Sequence, residues 1–317
     1  MKILLAGATG AVGRRLVPLL RAAGHEVAGL TRSPAKAELL RRIGAAPIVA
    51  DALDPAAVMS AMRQAKPEIV IHQLTSIPRN LDLRNFDREF TLTNLLRTEG
   101  TDNLLAAARA AGVGRFIAQS FAGWSYARAG GALKIEEDPL DPNPPPAFRR
   151  TLEAIRYLES AVTGQTDLAG LALRYGFFYG PGTAIGEHGS MANDVRKRRI
   201  PIIGGGAGVW SFIHVDDVAR FTLAAIERGA PGVYNIVDDD PARVSQWLPA
   251  LAAALGAKRP RRIPAWIARF MIGDAVMFMT DVRGASNAKA KHAFGVNLIW
   301  PSWQDGFRTG LGDRSPA

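Results

Sequence analysis

The chain has 317 residues, 48% of them hydrophobic and 21% charged, a balance that supports a sizeable core and excludes a peptide-sized module or an extended disordered chain. It contains no cysteine, which excludes disulfides, thiolate metal sites and a thiol nucleophile and points to a cytoplasmic protein. A net charge of +10 raises nucleic acid as a partner, but most arginines stand among acids and the one dense run, Arg196 to Arg199, lacks a nucleic-acid module around it, so a solvated face is expected there.

The first half alternates short apolar runs with helical stretches, the pattern of a doubly wound parallel sheet. Lys2 to Gly7 reads as a buried strand, followed by an amphipathic helix that ends at Gly24. HEVAGLT is a second strand, with a helix from Pro34 to about Ile43; PIVA is a third, with a helix from Pro55; EIVIH is a fourth. One long helical segment is expected from about Arg84 to Ala111, closed by Gly112, and Arg115 to Ser120 is a fifth strand. The Pro-rich Glu136 to Pro146 is a loop, Arg149 to Val162 a helix and Leu168 to Gly176 a sixth strand. After Gly180 the pattern loosens into loops and short helices that cap the sheet. FIHVDDVARFTLAAIERG then gives a short strand and a helix, GVYNIV another strand, and Val244 to Leu311 is mostly helical. The organisation expected is a Rossmann-type α/β dinucleotide-binding domain over 1–176, rejoined by 209–240, with a smaller, mostly helical substrate-binding cap from 177–208 and 241–317.

The five histidines (His25, His72, His188, His214 and His292) include no pair three or four residues apart, so no metal site is expected. Pro264 to Thr280, the most apolar late stretch, is interrupted by Arg269 and Asp274 and is too short to span a bilayer, so no membrane partner is expected.

The most informative stretch is Gly7-Ala-Thr-Gly10-Ala-Val-Gly13, between the first strand and the first helix. Glycines there let the backbone approach a pyrophosphate, whose charge is met by free N–H groups and the positive end of the helix dipole. Gly7, Thr9, Gly10, Ala11, Val12 and Gly13 are therefore the expected cofactor loop.

With this spacing the chain resembles the extended branch of the short-chain dehydrogenase/reductase superfamily, the NAD-dependent epimerases and dehydratases. Asp51-Ala-Leu-Asp54, Val70 to His72, Glu99-Gly-Thr-Asp-Asn-Leu-Leu, RFIAQS, LRYGFFYGPG and SFIHVDDVA followed by GVYNIV match the landmarks of that branch in order. The resemblance implies adenine contacts from Asp51 and Ala52, a further cofactor contact from Leu74, and a homodimer formed through Arg84 to Ala111 and Arg149 to Val162. Where an acidic residue would hold the ribose of NAD, Arg32 and Ser33 stand at the end of the second strand, suited to a 2′-phosphate, so NADP(H) is favoured over NAD(H).

The sequence departs from the family in its chemistry. The superfamily uses a Tyr-x-x-x-Lys pair with a Ser or Thr to pass a proton as hydride moves. Here no tyrosine has a lysine four residues on, and Phe148 and Leu152 (or Thr151 and Ile155 in a shifted register) take the two places. Ser120 either bonds a substrate carbonyl or caps its strand; Tyr126 and Lys134, in the loop that follows, either substitute for the lost pair or pack. Arg97, Arg149 and Arg150 could offer fixed positive charge to an oxyanion but not a ready proton, and His188 either reaches a pocket as general base or is an exposed loop histidine, the latter being favoured. Trp210 stands where nucleotide-sugar enzymes of the family place an arginine, which suggests a less charged, more apolar small-molecule substrate, with ordinary core packing as the alternative. The leading expectation is an NADP(H)-dependent oxidoreductase acting on a carbonyl. The alternatives are a non-catalytic NAD(P) sensor and an epimerase or dehydratase with displaced catalytic groups.

Overall fold

The computed structural model describes residues 1–78 and 81–313. Strand β1 (Lys2–Ala6) leads into α1 (Ala11–Ala22), β2 (Glu26–Thr31) into α2 (Ala37–Arg42), β3 (Ala46–Val49) into α3 (Pro55–Ala65), and β4 (Ile69–His72) into α4 (Phe86–Glu89), α5 (Thr91–Arg97) and α6 (Glu99–Ala110). After β5 (Arg115–Phe121) and β6 (Leu133–Lys134), α7 (Arg149–Thr163) carries the chain back to β7 (Ala169–Tyr175). Short elements follow: β8 (Phe177–Tyr179), α8 (Ser190–Arg196), β9 (Ile202–Ile203), β10 (Val209–Trp210) and β11 (Phe212–His214). Helix α9 (Val215–Glu227) then feeds β12 (Gly232–Ile236). The remainder comprises β13 (Ala242–Arg243), α10 (Val244–Ala254), β14 (Arg262–Ile263), α11 (Ala265–Ile272), α12 (Met277–Thr280), β15 (Gly284–Ala285), α13 (Ala288–Phe294) and α14 (Trp303–Thr309).

Seven strands form one parallel sheet in the order β12-β7-β5-β4-β1-β2-β3. Both faces are covered, which is why its strands read as nearly unbroken apolar runs rather than as alternating ones. Ile3 and Leu5 pack with α1 and α9 on one face, and Leu4 and Ala6 with α3, α6 and α7 on the other, as the two-residue period of a strand requires. This is the Rossmann-type α/β architecture expected from the sequence.

The cap segments do not build a separate core. Phe86, Phe90, Trp124, Phe148 and Leu152 from the first half pack in one cluster with Trp210, Phe212, Trp247, Phe278 and Trp303 from the second. Among the described residues no helix is long and apolar enough to cross a membrane.

The single helix expected over Arg84 to Ala111 is a correction. It is broken into α4, α5 and α6, with Thr98 at φ −98°, ψ −87°. Thr91 Oγ1 donates to the Asp87 and Arg88 carbonyls, and Thr98 Oγ1 to those of Asn94 and Leu95. Such back-bonding by hydroxyls competes with the helical ladder and bends it.

Candidate cofactor and active site

Strand β1 lies between β2 and β4, where the winding of the sheet reverses and a crevice opens at the strands' carboxyl ends. Gly7 leaves β1 at φ +94°, and a Cβ there would stand 2.5 Å from the Gln73 carbonyl oxygen beyond β4. At Gly13 a Cβ would meet Ala8 Cα and the Gly7 oxygen at 2.5 Å, so only glycine lets α1 pack this close to the loop. The Gly10 N–H donates to the Gly7 oxygen at 3.0 Å, and Gly10 caps α1 with no side-chain acceptor and no acid in the first turn. The first-turn N–H groups, which no helix can satisfy internally, are thereby left for an anion. These residues fit the pyrophosphate of a dinucleotide.

The other expected cofactor residues surround this crevice. Arg32 is exposed just past β2 and has no hydrogen-bond or ion-pair partner among the described residues. The Ser33 N–H donates to Thr31 Oγ1 at 3.2 Å. Asp51 is exposed, and its carboxylate accepts the Leu53 N–H at 3.0 Å. Ala52 is buried, its carbonyl held by Asn103 Nδ2 at 2.9 Å. The Leu74 N–H donates to His72 Nδ1 at 3.3 Å, while His72 Nε2 donates to the Leu96 carbonyl at 3.2 Å. Both ring nitrogens are therefore committed, and burial pushes the imidazole down to about 4, so it is a neutral clamp between β4 and α5.

Ser120 and Tyr126 are brought together by Glu159 and by Arg174, which lies within the LRYGFFYGPG stretch but was given no role there. Arg174 on β7 grips Glu159 on α7 bidentately, Nε to Oε1 and Nη2 to Oε2, both at 2.7 Å. Ser120 Oγ donates to the same Oε1 at 2.6 Å, and Arg174 Nη1 donates to the Tyr126 hydroxyl at 2.8 Å. The Tyr126 proton in turn is given to Asn235 Oδ1 on β12 at 2.7 Å. Burial pushes the phenol up to about 12 against the opposing pull of Arg174. Burial alone would lower Arg174, but the hydrogen bonds and charge of Glu159 raise it. Lys134 lies apart from this network: its ammonium donates to the Ala129 carbonyl at 2.8 Å and faces Asp138 at 3.6 Å. Glu159 had a readable signal, being an acid on the buried stripe of α7 alongside Leu152, Ile155 and Val162. Arg174 had one too, as a lone charge within the apolar run of β7.

Phe148 and Leu152, in the places of the family pair, are fully buried. Phe148 joins an apolar cluster with Phe86 at 4.6 Å, Trp124 at 5.6 Å and Phe278 at 5.5 Å between ring centroids. A second aromatic row starts from half-buried Phe121, meets Phe177 at 5.3 Å, and continues to Trp210, stacked on Phe177 at 3.7 Å. A Cβ at Gly123 would fall 2.4 Å from the Phe121 ring and 2.7 Å from that of Phe177, so this glycine makes room for both. The Trp210 Nε1 donates to the Phe278 carbonyl at 2.7 Å, which anchors it in the core. Arg97 is buried with Nη1 unpartnered among the described residues, and burial lowers it to about 10 against the pull of Glu159. His188 is exposed, whereas His214 caps α9 by accepting the Asp216 N–H at 3.1 Å.

A glycine loop at the switch point of a doubly wound sheet defines a dinucleotide-dependent enzyme of the Rossmann type. The chain belongs to the NAD dependent epimerase/dehydratase family, whose model matches residues 3–237. It is similar to a 3-diazoavenalumate denitrifying reductase of a Streptomyces species, 45% identical over 96% of this chain and 99% of the relative. It is also similar to a 2-alkyl-3-oxoalkanoate reductase of Stenotrophomonas maltophilia, 27% identical over 86% of this chain and 81% of the relative. Among solved structures, the UDP-glucose 4-epimerase of Thermus thermophilus in complex with NAD superposes with a TM-score of 0.74 at 26% identity, over 98% of each chain. The protein is an NAD(P)-dependent reductase of this family.

Proposed function

We propose that the protein is an NADP(H)-dependent reductase whose acceptor takes up hydride without a proton from the protein, and that this acceptor is a small aromatic carboxylate carrying a diazo group. The observation that carries the reading is the fate of the family's proton donors: Phe148 and Leu152 are core residues, and the Tyr126 proton is spent on Asn235. Reducing a ketone requires a proton on oxygen, and a site built for that keeps a titratable donor at the reacting atom. Replacing a diazonium group by hydrogen does not. The ring carbon gains hydride, its C–N bond breaks, and the bonding pair departs with dinitrogen, so atoms and charge balance with no proton supplied. The 45% identical relative is named for a diazo carboxylate and for its denitrification.

In this reading residues 1–176 and 209–240 hold the dinucleotide, and 177–208 and 241–317 close over the acceptor. The bound reduced nicotinamide supplies the hydride. The Gly7 loop and the first turn of α1 hold its pyrophosphate, and unpartnered Arg32 with Ser33 takes the 2′-phosphate. Half-buried Phe121 and Phe177 wall the acceptor ring and exclude water, which would otherwise compete with hydride for the cation. Ser120 and Tyr126 are positioning residues that tie β5 to β7 and β12 through Glu159 and Arg174.

A second reading, reduction of a carbonyl with a proton drawn from water, is favoured by the relative named for 3-oxoalkanoate reduction. One experiment separates the two: incubation with 3-diazoavenalumate and NADPH deuterated at nicotinamide C4. The diazo reading predicts dinitrogen equimolar with NADP⁺ and one deuterium at the ring carbon that lost nitrogen. No turnover of that compound, with an alcohol formed from a 2-alkyl-3-oxoalkanoate, would establish the carbonyl reading instead.

A further inference from the structure

Helix α11 is exposed on most sides. Only Ala268 is buried, while Trp266 is 76%, Phe270 88% and Met271 52% exposed. Trp266 and Phe270 stand four residues apart and form one stripe facing water, the reverse of a helix folded against a core. Two basic segments distant in sequence converge beside it. Strand β14, at the end of Lys258–Arg262, pairs with β9, which follows Arg196–Arg199, and Arg198 Nε donates to the Arg259 carbonyl at 3.1 Å. Neither basic segment, nor α11, contains an acidic residue; of the basic side chains Arg199 faces Asp194 at 3.4 Å, and Asp274 follows the helix. The charge expected to be a merely solvated run is thus gathered around projecting aromatic side chains.

We propose that this face docks on an anionic lipid bilayer, with Trp266, Phe270 and Met271 inserted at the headgroup level and the two basic segments against the lipid phosphates. Tryptophan favours the bilayer interface, and clustered cations are drawn to its negative surface potential. A second copy of the chain would present the same positive charge and be repelled. The same helix walls a cavity of about 440 Å³ with Leu83, Arg84 and Ala147, next to the Phe148 cluster.

Trp266 provides the readout, because the other five tryptophans are 4% exposed or less. Intact protein is mixed with vesicles of phosphatidylcholine alone, vesicles with phosphatidylglycerol added, or soluble heparin, and flotation, emission wavelength and acrylamide quenching are followed. The expected result is flotation, a blue shift and lost quenching with the phosphatidylglycerol vesicles only, reversed by high salt. Phe270→Ser and the double change Arg261→Glu, Arg262→Glu are each expected to weaken flotation by about tenfold or more, with the thermal midpoint and NADPH binding unchanged. Failure to float with phosphatidylglycerol at low salt would overturn the proposal. So would a blue shift and protection by heparin equal to those by vesicles, since the face would then recognise a soluble polyanion.

Discussion

Tyr126 reads, in the sequence, as a loop phenol that either serves acid catalysis or packs; in the structure its hydroxyl accepts from Arg174 and donates to Asn235. Tyr126→Phe strands both partners and is expected to lower stability by about 1–3 kcal/mol, measured by urea titration. Glu159→Gln removes the charge that compensates buried Arg174, and breaking such a pair costs about 3–5 kcal/mol, so this variant should be far less stable than Tyr126→Phe in the same titration. His72 gives a pH signature. Its folded value of about 4 lies below the ordinary 6.5, so its contribution is complete above pH 6.5 and is lost as pH falls toward 4. That interval corresponds to about 3 kcal/mol at most, and the acid slope of stability should flatten in His72→Asn. At Arg32 the expected effect is on cofactor choice: Arg32→Asp should abolish thermal stabilisation by NADPH and leave or improve that by NADH. Equal stabilisation of the variant by NADPH would remove Arg32 from the 2′-phosphate site.

At the scale of elements, the strand–turn–helix of β1 and α1 was legible because its glycines meet fixed backbone rather than flexible side chains. A Cβ at Gly13 has nowhere to go between Ala8 and Gly7, so Gly13→Val should lose the NADPH-induced thermal shift as well as stability. Strands β4, β5 and β7 were equally legible, being mostly apolar runs covered on both faces. Elements of two residues, such as β9 with β14 or β6 with β15, carry no periodicity; each is set by a partner more than fifty residues away. The break at Thr98 was hidden for another reason. Helical periodicity runs through α5 and α6, and only the hydroxyl bonds of Thr91 and Thr98 divert it. Gly123 shows the same limit within the site, since its role exists only once Phe121 and Phe177 have closed on each other.

Across the whole molecule, one shared core joins the cap to the sheet, with Phe148 and Phe86 from the first half packed on Phe278 from the second. That coupling brings side chains distant in sequence together, and it explains what the sequence could and could not reveal about function. The strand–glycine turn–helix that would hold the cofactor is local, so its geometry was readable. The polar network of Ser120, Glu159, Arg174, Tyr126 and Asn235 draws on four elements and became visible only in three dimensions. The most direct test is the turnover of Tyr126→Phe beside the unchanged protein, at saturating NADPH with the diazo acceptor. A kcat within about threefold of the parent is expected, because a positioning residue that passes no proton leaves the chemical step intact. A loss of about 100-fold or more, with NADPH binding preserved, is the size of a general-acid contribution and would make Tyr126 the proton donor.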